Sequence, residues 1–226
     1  MSYYPIFVQM EGMRALVVGG GAVARRKVET LLGFGADVSM VSRDLTPELT
    51  RLVDAGKVRF LGPEMADRFF EDVSLVIAAT DDAALNHEVS QGARQRGLLV
   101  NAVDQPADCT FIVPSIVRRG DLLIAVSTSG RSPAFSKKIR KRLEDEFGDE
   151  YARFLALMGR VRQRVLAMGL PQKDNSRIFH EIVDSDILEA LARDDREGVA
   201  AILRGILPEG MDMDALLWPD SMTEGK

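Results

Sequence analysis

The feature that most constrains the fold is a run of three glycines, Gly19-Gly20-Gly21, directly after a short apolar segment, Arg14–Val18. A buried parallel strand has this appearance, and Ala22–Phe34 then shows apolar residues at helical spacing. Gly19–Ala24 fits the pattern G-x-G-x-x-A. Its glycines allow a tight turn and the close approach of a diphosphate, and its alanine allows close helix packing. The segment therefore predicts a dinucleotide-binding site at a helix N-terminus.

Five residues of this pattern are predicted to bind the cofactor: Gly19, Gly21, Ala22, Val23 and Ala24. The alternative is a glycine turn that joins a strand to a helix and binds nothing. The ribose-binding residues leave the choice of cofactor open. Asp44 could bond the 2′-hydroxyl of NAD, whereas Ser42 and Arg43 would suit the 2′-phosphate of NADP.

Short apolar segments alternate with helical segments along the first half of the chain. The further predicted strands are Asp37–Val41, Val58–Leu61, Ser74–Ala79 and Leu98–Asn101, and the further helices are Thr46–Ala55 and Ala83–Arg96. Regular alternation predicts a parallel sheet with crossover helices. The fold class is therefore α/β, with an N-terminal dinucleotide-binding Rossmann domain over residues 1–112.

The pattern changes after residue 112. Phe111–Val113 and Leu122–Val126 have the composition of strands, and Ser132-Pro133 begins a helix. From about Glu144 onward the chain is predicted to be helical, with one helix at Ser176–Arg193 and another at Arg196–Leu207. We divide this half into residues 113–145, a helical domain at 146–208 and a poorly ordered tail at 209–226.

Polar residues follow the predicted strands at the sheet edge where ligands bind in such folds. Thr80 and Asp81 follow the fourth strand, and we expect them to contact the cofactor. Asp104 follows the fifth strand, and its carboxylate is the one best placed to serve a substrate next to the nicotinamide. Removal of hydride from a carbon usually needs a proton to leave elsewhere, which a carboxylate can accept. The alternative is that Asp104 only caps the turn before Pro106.

A hydroxyl-rich segment, Ser127–Pro133, leads into a basic run from Arg131 to Arg142 that contains no acidic residue. A substrate with many carboxylates would find a fitting surface there. A solvated helix face is an equal alternative, and nucleic acid is a weaker one because aromatic residues are absent. The predicted substrate-binding residues are Asn101, Ser115, Thr128, Ser129, Arg131 and Lys137, with Arg118, Arg119 and Lys138 as further candidates.

Composition excludes several classes of protein. The formal net charge of −5 gives no overall electrostatic footprint for nucleic acid. Cys109 is the only cysteine, so neither an intrachain disulfide nor a cysteine metal cluster can form, which fits a reducing, cytoplasmic location. No apolar stretch is long enough for a membrane span, and no signal peptide is apparent. His87 and His180 lack partners at metal-ligand spacing, so we expect no metal site.

Several linked motifs resemble the precorrin-2 dehydrogenase module of siroheme synthases, including the bifunctional precorrin-2 dehydrogenase/sirohydrochlorin ferrochelatases. The resemblance covers about residues 3–145. It rests on these segments: Pro5-Ile6-Phe7, Val18-Gly19-Gly20-Gly21 with Val23-Ala24 and Arg26-Lys27, Ala78-Ala79-Thr80-Asp81-Asp82, Asn101-Ala102-Val103-Asp104, Phe111-Ile112-Val113-Pro114-Ser115, and Ser127-Thr128-Ser129-Gly130-Arg131-Ser132-Pro133.

The resemblance implies NAD-dependent oxidation of precorrin-2 to sirohydrochlorin, with Asp104 at the family's essential aspartate position. It implies that residues 113–145 are a dimerisation region, so we expect a homodimer. The chain is too short for the fused methyltransferase domain, which favours a stand-alone form. One alternative adds the insertion of Fe²⁺ or Co²⁺ into sirohydrochlorin. Another is a non-catalytic NAD sensor, in which Asp104 would be dispensable.

Overall fold

The computed structural model describes residues 3–217 of the chain. Within them the chain divides between Val113 and Pro114 into two compact units. In the part of the chain that the structure describes, none of the helices has the length and apolar character that crossing a bilayer requires.

A parallel five-stranded sheet forms the centre of the first unit. Its strands are β1 (Arg14–Val18), β2 (Asp37–Val41), β3 (Val58–Phe60), β4 (Leu75–Ala78) and β5 (Leu99–Ala102). Their order across the sheet is β3-β2-β1-β4-β5. Val18 is in register with Val41 on one side and with Ala78 on the other, so the carboxyl ends of the central strands lie at one edge.

Helices cover both faces of this sheet: α1 (Ala22–Gly33), α2 (Pro47–Asp54) and α3 (Ala83–Gln95), with 3-10 turns at Asp67–Phe70 and Pro106–Asp108. Val17 of β1 packs into the same core as Val28 of α1, whereas Val18 packs into the opposite core with Val89 of α3. Burial on both faces explains why β1 is apolar throughout. The arrangement confirms the predicted α/β class with a parallel sheet.

A short hairpin and a helical bundle form the second unit. Strands β6 (Ser115–Arg119) and β7 (Leu122–Val126) pair antiparallel across a turn at Gly120, whose φ is +57°. The helices are α4 (Pro133–Glu146), α5 (Glu150–Ala167), α6 (Gln172–Val183), α7 (Ile187–Ala192), α8 (Arg196–Ile206) and α9 (Met213–Leu217). The bundle has its own core, in which Val161, Ile182 and Leu203 are fully buried.

The structure corrects two predicted elements and adds one. Phe111–Val113 is not a strand; the strand begins after Pro114, because proline has no N–H to donate and the antiparallel pairing starts at Ser115. The predicted helix Ser176–Arg193 is two helices, since the hydroxyl of Ser185 donates to Ile182 O at 2.7 Å where the first one ends. Helix α9 lies within the segment predicted to be poorly ordered, and residues 218–226 lie outside the described residues.

Candidate functional site

The carboxyl ends of β1 and β4 border a cavity of about 1010 Å³ in the first unit. The chain leaves β1 toward β2 on one side of the sheet and leaves β4 toward β5 on the other. Ligands of open α/β sheets bind where the strand order reverses in this way. The cavity is lined by the glycine loop, by Ser42–Thr46 after β2, and by Ala79–Asp82 after β4.

The three glycines are constrained differently. Gly19 has φ +123°, and a Cβ there would lie 2.3 Å from Ala79 O. A Cβ on Gly20 would lie 1.9 Å from Asp44 O. Because neither glycine has a Cβ, the loop after β1 can lie in close contact with the backbone of Ala79 and of Asp44. A Cβ on Gly21 would meet nothing within 4 Å, so its backbone faces open space at the cavity wall.

The N-terminus of α1 is open at this wall. Gly21 is its N-cap residue, no side chain caps it, and the first turn contains no acidic residue. The first N–H groups of a helix lack intrahelical acceptors and carry a partial positive charge, so they suit a phosphate group. Ala22 and Val23 supply the first of these N–H groups, and Ala24 is fully buried against the sheet. The open space at Gly21 and the uncapped helix end fit a dinucleotide diphosphate.

The loop after β2 is held against the glycine loop by its backbone. Thr46 N donates to Gly20 O at 3.0 Å, and the hydroxyl of Ser42 donates to Asp44 O at 2.6 Å. The Ser42 hydroxyl therefore serves the loop itself. Arg43 and Asp44, the residues predicted to bind near the ribose, are exposed and line the cavity.

The loop after β4 is held by Asn86, a residue that the sequence analysis did not select. Asn86 is 3% exposed, and its amide is bonded to Thr80 through three hydrogen bonds. Asp82 caps α3 by accepting from Ala84 N at 2.9 Å and Leu85 N at 3.0 Å. Thr80 is thus fixed in place, whereas the side chain of Asp81 is exposed at the cavity. Its burial and its bonds to Thr80 depend on how α3 packs beside β4, so no short-range pattern in the sequence identifies it.

Charged side chains around the cavity are mostly acidic. Six acids line it, Asp44, Glu64, Asp67, Asp81, Asp82 and Glu88, together with two arginines, Arg43 and Arg96. Arg96 is paired with Asp67 at 3.3 Å and lies over the ring of Phe70. The excess of negative charge disfavours a further phosphate group on the ligand.

Asp104 lies just after β5 at the same edge of the sheet. Val103 N donates to Ala78 O at 2.9 Å, which continues the sheet to this point. Asp104 has φ +60°, a conformation that costs a residue with a Cβ free energy and is often found at functional sites. Its side chain is exposed, and within residues 3–217 its carboxylate has no hydrogen-bond or ion-pair partner.

Asn101 uses its side chain inside the first unit. Its amide donates to Phe111 O at 3.1 Å and contacts the thiol of Cys109 at 3.5 Å. The thiol in turn bonds the backbone of Ala102 at 3.3 Å. These contacts hold the segment after β5 against the strand, so the predicted substrate contact of Asn101 would require one of them to open.

The remaining predicted substrate residues lie in the second unit. Ser115 begins β6, and Thr128 is engaged internally, since its hydroxyl accepts from Ser132 N at 3.1 Å. Ser129, Arg131 and Lys137 are exposed at the start of α4. The other cations of this helix are Lys138, Lys141 and Arg142, which are exposed, and Arg140, which is paired with Glu144.

Among the described residues, no three His, Cys, Asp or Glu side chains are grouped so that they could hold a metal ion. His180 lies on α6 and bonds Ser176 O of its own helix at 2.7 Å. His87 lies on α3, where its ring contacts the carboxylate of Asp108 at 2.9 Å.

Two family models match consecutive parts of the chain. Residues 6–115 match the family described as "Putative NAD(P)-binding", which confirms the predicted dinucleotide-binding region. Residues 119–146 match the family described as "Sirohaem biosynthesis protein central". The first match includes the glycine loop, and the second includes β7 and α4.

Curated relatives with similar sequences are siroheme synthases. Siroheme synthase 1 of Serratia proteamaculans is 42% identical over 173 residues, which are 75% of this chain and 36% of that protein. The siroheme synthase of Sodalis glossinidius is 43% identical over 172 residues, 74% of this chain and 36% of that protein. That of Pseudomonas paraeruginosa is 41% identical over 186 residues, 80% and 39% of the two chains. The chain therefore spans little more than a third of these relatives.

A solved structure, "SirC, precorrin-2 dehydrogenase", shares the fold. Its TM-score to this chain is 0.73, and the two sequences are 24% identical. The superposition covers 89% of this chain and 100% of that one. Since that coverage extends well beyond the Rossmann unit, the likeness includes much of the second unit as well.

Proposed function

Since the chain belongs to the family that contains the dehydrogenase module of siroheme synthases, we propose that it oxidises precorrin-2 to sirohydrochlorin with NAD as the hydride acceptor. One observation carries the proposal: the uncapped N-terminus of α1 lies at the same edge of the sheet as the carboxylate of Asp104, which has no hydrogen-bond or ion-pair partner within residues 3–217. The helix N-terminus can bind a dinucleotide diphosphate, and the carboxylate can accept a proton.

NAD is held, in this proposal, by the residues that line the switch point. The N–H groups of Ala22 and Val23 bind the diphosphate, and Asp44 accepts from the ribose hydroxyl. When bound, NAD supplies the hydride acceptor. We favour NAD over NADP because the acidic residues of the cavity outnumber its arginines, so a 2′-phosphate would meet net repulsion.

Asp104 receives the proton. Oxidation of the macrocycle removes one hydride and one proton, giving sirohydrochlorin, NADH and a proton. The Asp104 carboxylate is exposed and has both oxygens free of protein donors within residues 3–217, so it can accept that proton. Its left-handed backbone is consistent with a position retained for chemistry, because such strain lowers stability.

The substrate's carboxylates are held by exposed cations of the second unit. Arg131 and Lys137 stand at the start of α4, next to the exposed hydroxyl of Ser129. Arginine forms paired hydrogen bonds with carboxylates, and lysine acts as a point charge. We assign these three residues to substrate binding.

We also propose that the chain forms a homodimer through residues 113–145. The sheet of β6 and β7 has two strands, so within the described residues both of its edges are unpaired. Isolated two-stranded sheets are marginally stable, and free edges readily pair with a second copy. Light scattering at micromolar concentration should give twice the chain mass; a monomer would overturn this part.

Anaerobic turnover of precorrin-2 tests the proposal, with wild type compared with Asp104→Asn. Asparagine tolerates the left-handed backbone and has nearly the same shape, so the variant changes the charge alone. We expect NAD to support turnover better than NADP, and we expect Asp104→Asn to lose on the order of 100-fold or more in kcat while it still binds NAD.

Tight NAD binding without any oxidation of precorrin-2 would overturn the proposal and favour a nucleotide sensor. Retention of full activity in Asp104→Asn would overturn the role of the carboxylate. A parallel reaction with sirohydrochlorin and Co²⁺, without NAD, tests whether the same protein also inserts a metal ion.

A further inference from the structure

The turn that carries Asp104 is tied to α3 at several points along the helix. The amide of Gln105 donates to Ala83 O at 2.9 Å, at the start of the helix. Near its end, the guanidinium of Arg94 donates to Ala107 O at 2.9 Å and to Cys109 O at 3.3 Å. The turn is therefore held by its flanks, since the carboxylate of Asp104 itself has no partner in residues 3–217.

Between these two contacts, His87 and Asp108 form a hydrogen-bonded pair. The Nδ1–H of His87 donates to the carboxylate of Asp108, at 3.0 Å from Oδ1 and 2.9 Å from Oδ2. The pair is unequal in exposure: the side chain of His87 is 58% exposed and that of Asp108 is 13% exposed. Ser90 of the same helix donates to the backbone carbonyl of Asp108.

Asp108 depends on this one side chain. Within the described residues, His87 is the only side chain that contacts its carboxylate. A largely buried carboxylate that loses its partner must reach water or stay unpaired at considerable cost. Because staying unpaired is the costlier outcome, we expect Asp108 to move toward water, and it lies four residues from Asp104 in one short turn. We expect the backbone of Asp104 to shift with it, because its φ of +60° is unfavourable and its carboxylate has no hydrogen-bond or ion-pair partner within residues 3–217.

We propose that His87 is a positioning residue that holds the carboxylate of Asp104 in place through Asp108. The proposal rests on the proposed dehydrogenase function, because it assigns the pair a purpose in that reaction. His87 contacts neither the cofactor loop nor Asp104, so it acts only through the turn. Catalytic geometry is sensitive to small displacements, and a shift of about 1 Å can cost on the order of 100-fold in rate.

The test compares three variants with wild type. His87→Ala removes the donor, and His87→Asn restores an N–H close to the position of Nδ1. His180→Ala is the control: this histidine is exposed on α6, in the other unit, and its hydrogen bonds among the described residues are to Ser176 of its own helix. Amide hydrogen exchange over residues 103–109 is measured without substrate, so that it reports on the turn alone. Steady-state kinetics then report kcat and the KM for NAD.

In His87→Ala, we expect the amide hydrogens of this turn to exchange at least about 10-fold faster than in wild type. We also expect kcat to fall about 10-fold, with little change in the KM for NAD. His87→Asn should recover most of both effects, and His180→Ala should resemble wild type. In the Asp104→Asn background, His87→Ala should cause no further loss of kcat, because the two residues act as one unit.

Unchanged exchange over the turn in His87→Ala would overturn the proposal. So would an equal loss of kcat in the Asp104→Asn background, because the histidine would then act independently of Asp104. The exchange measurement needs no reaction. If wild type fails to oxidise precorrin-2, the proposed function fails, while faster exchange in His87→Ala would still show that the pair holds the turn.

Discussion

Asn86 and Thr80 are joined by three hydrogen bonds that fix the loop after β4. The Oδ1 of Asn86 accepts from Thr80 N at 3.1 Å and from the Thr80 hydroxyl at 2.8 Å, and its Nδ2 donates to Thr80 O at 3.0 Å. The loop faces the glycine loop, since Ala79 O would clash with a side chain at Gly19. One asparagine of α3 therefore sets the shape of the cofactor cavity.

Asn86→Ala should destabilise the protein and weaken cofactor binding. The substitution removes three part-buried hydrogen bonds and the buried amide of Asn86, which costs about 2–3 kcal/mol of unfolding free energy. We expect the Kd for NAD to rise several-fold because the loop is no longer held. Urea unfolding and a binding titration measure the two effects. Asn86→Asp keeps the acceptor oxygen but turns a buried carboxylate oxygen toward Thr80 O, so its unfolding free energy should also lie below that of wild type. An unaltered Kd in Asn86→Ala would contradict this role of the loop.

Much of this cavity could be predicted because it depends on local sequence signals. The glycine loop, the apolar strands and the start of α3 at Ala83 are short-range patterns, and each is found where it was expected. Asn86 could not be identified in this way. Its function depends on the distance between α3 and the end of β4, which only the packed structure supplies. The same holds for His87 and Asp108, which are 21 residues apart in the chain.

Alanine substitution should have different effects at Gly19 and at Gly21, the first and last glycines of the loop. Gly19→Ala would place a Cβ 2.3 Å from Ala79 O at a φ of +123°, so we expect a loss of at least about 3 kcal/mol or failure to fold. The added Cβ of Gly21→Ala would have no atom of residues 3–217 within 4 Å, so the protein should remain folded. Its new methyl group would occupy space needed by the diphosphate, and the Kd for NAD should rise at least about 10-fold.

Thermal unfolding and NAD titration of both variants separate the two roles. Normal NAD affinity in a folded Gly21→Ala variant would mean that the dinucleotide does not approach this residue. A stable Gly19→Ala variant would contradict the close contact between the loops after β1 and β4.

Asp104→Gly should be more stable than Asp104→Ala, and it should abolish turnover. Glycine adopts a φ of +60° without steric cost, so relief of strain should add about 0.5–1 kcal/mol to the unfolding free energy relative to Asp104→Ala. Neither variant has a carboxylate, so both should lack activity. Urea unfolding measures the difference between them. A stability of Asp104→Gly below that of Asp104→Ala would show that the left-handed conformation is not a source of strain.

The second unit shows where periodicity alone was insufficient. The helical spacing from Ser176 to Arg193 continues through a break that the structure places between Val183 and Ile187. The apolar side chains on both sides enter the same core, so hydrophobic spacing does not reveal the interruption. The signal was the polar segment Asp184-Ser185-Asp186, whose short side chains compete with helical hydrogen bonds.

Lys27 on α1 gives a prediction for the dependence of stability on pH. Burial lowers the pKa of its ammonium group below the ordinary value of 10.5, the neighbouring Arg26 lowers it further, and Cys109 opposes the shift. At neutral pH the lysine is charged in both the folded and the unfolded state, so the full cost of its burial is present. As pH rises toward 10.5, the folded protein releases this proton before the unfolded chain does, and the cost declines.

Lys27→Met should therefore be more stable than wild type at about pH 7, and this advantage should shrink as the pH approaches about 10. Urea unfolding of both proteins across that range measures the difference. Lys57→Met is the matched control, because Lys57 is exposed in the same unit and its substitution removes no buried ammonium group. If the advantage of Lys27→Met were the same at every pH, or grew with pH, burial of the charged ammonium group would not be its cause.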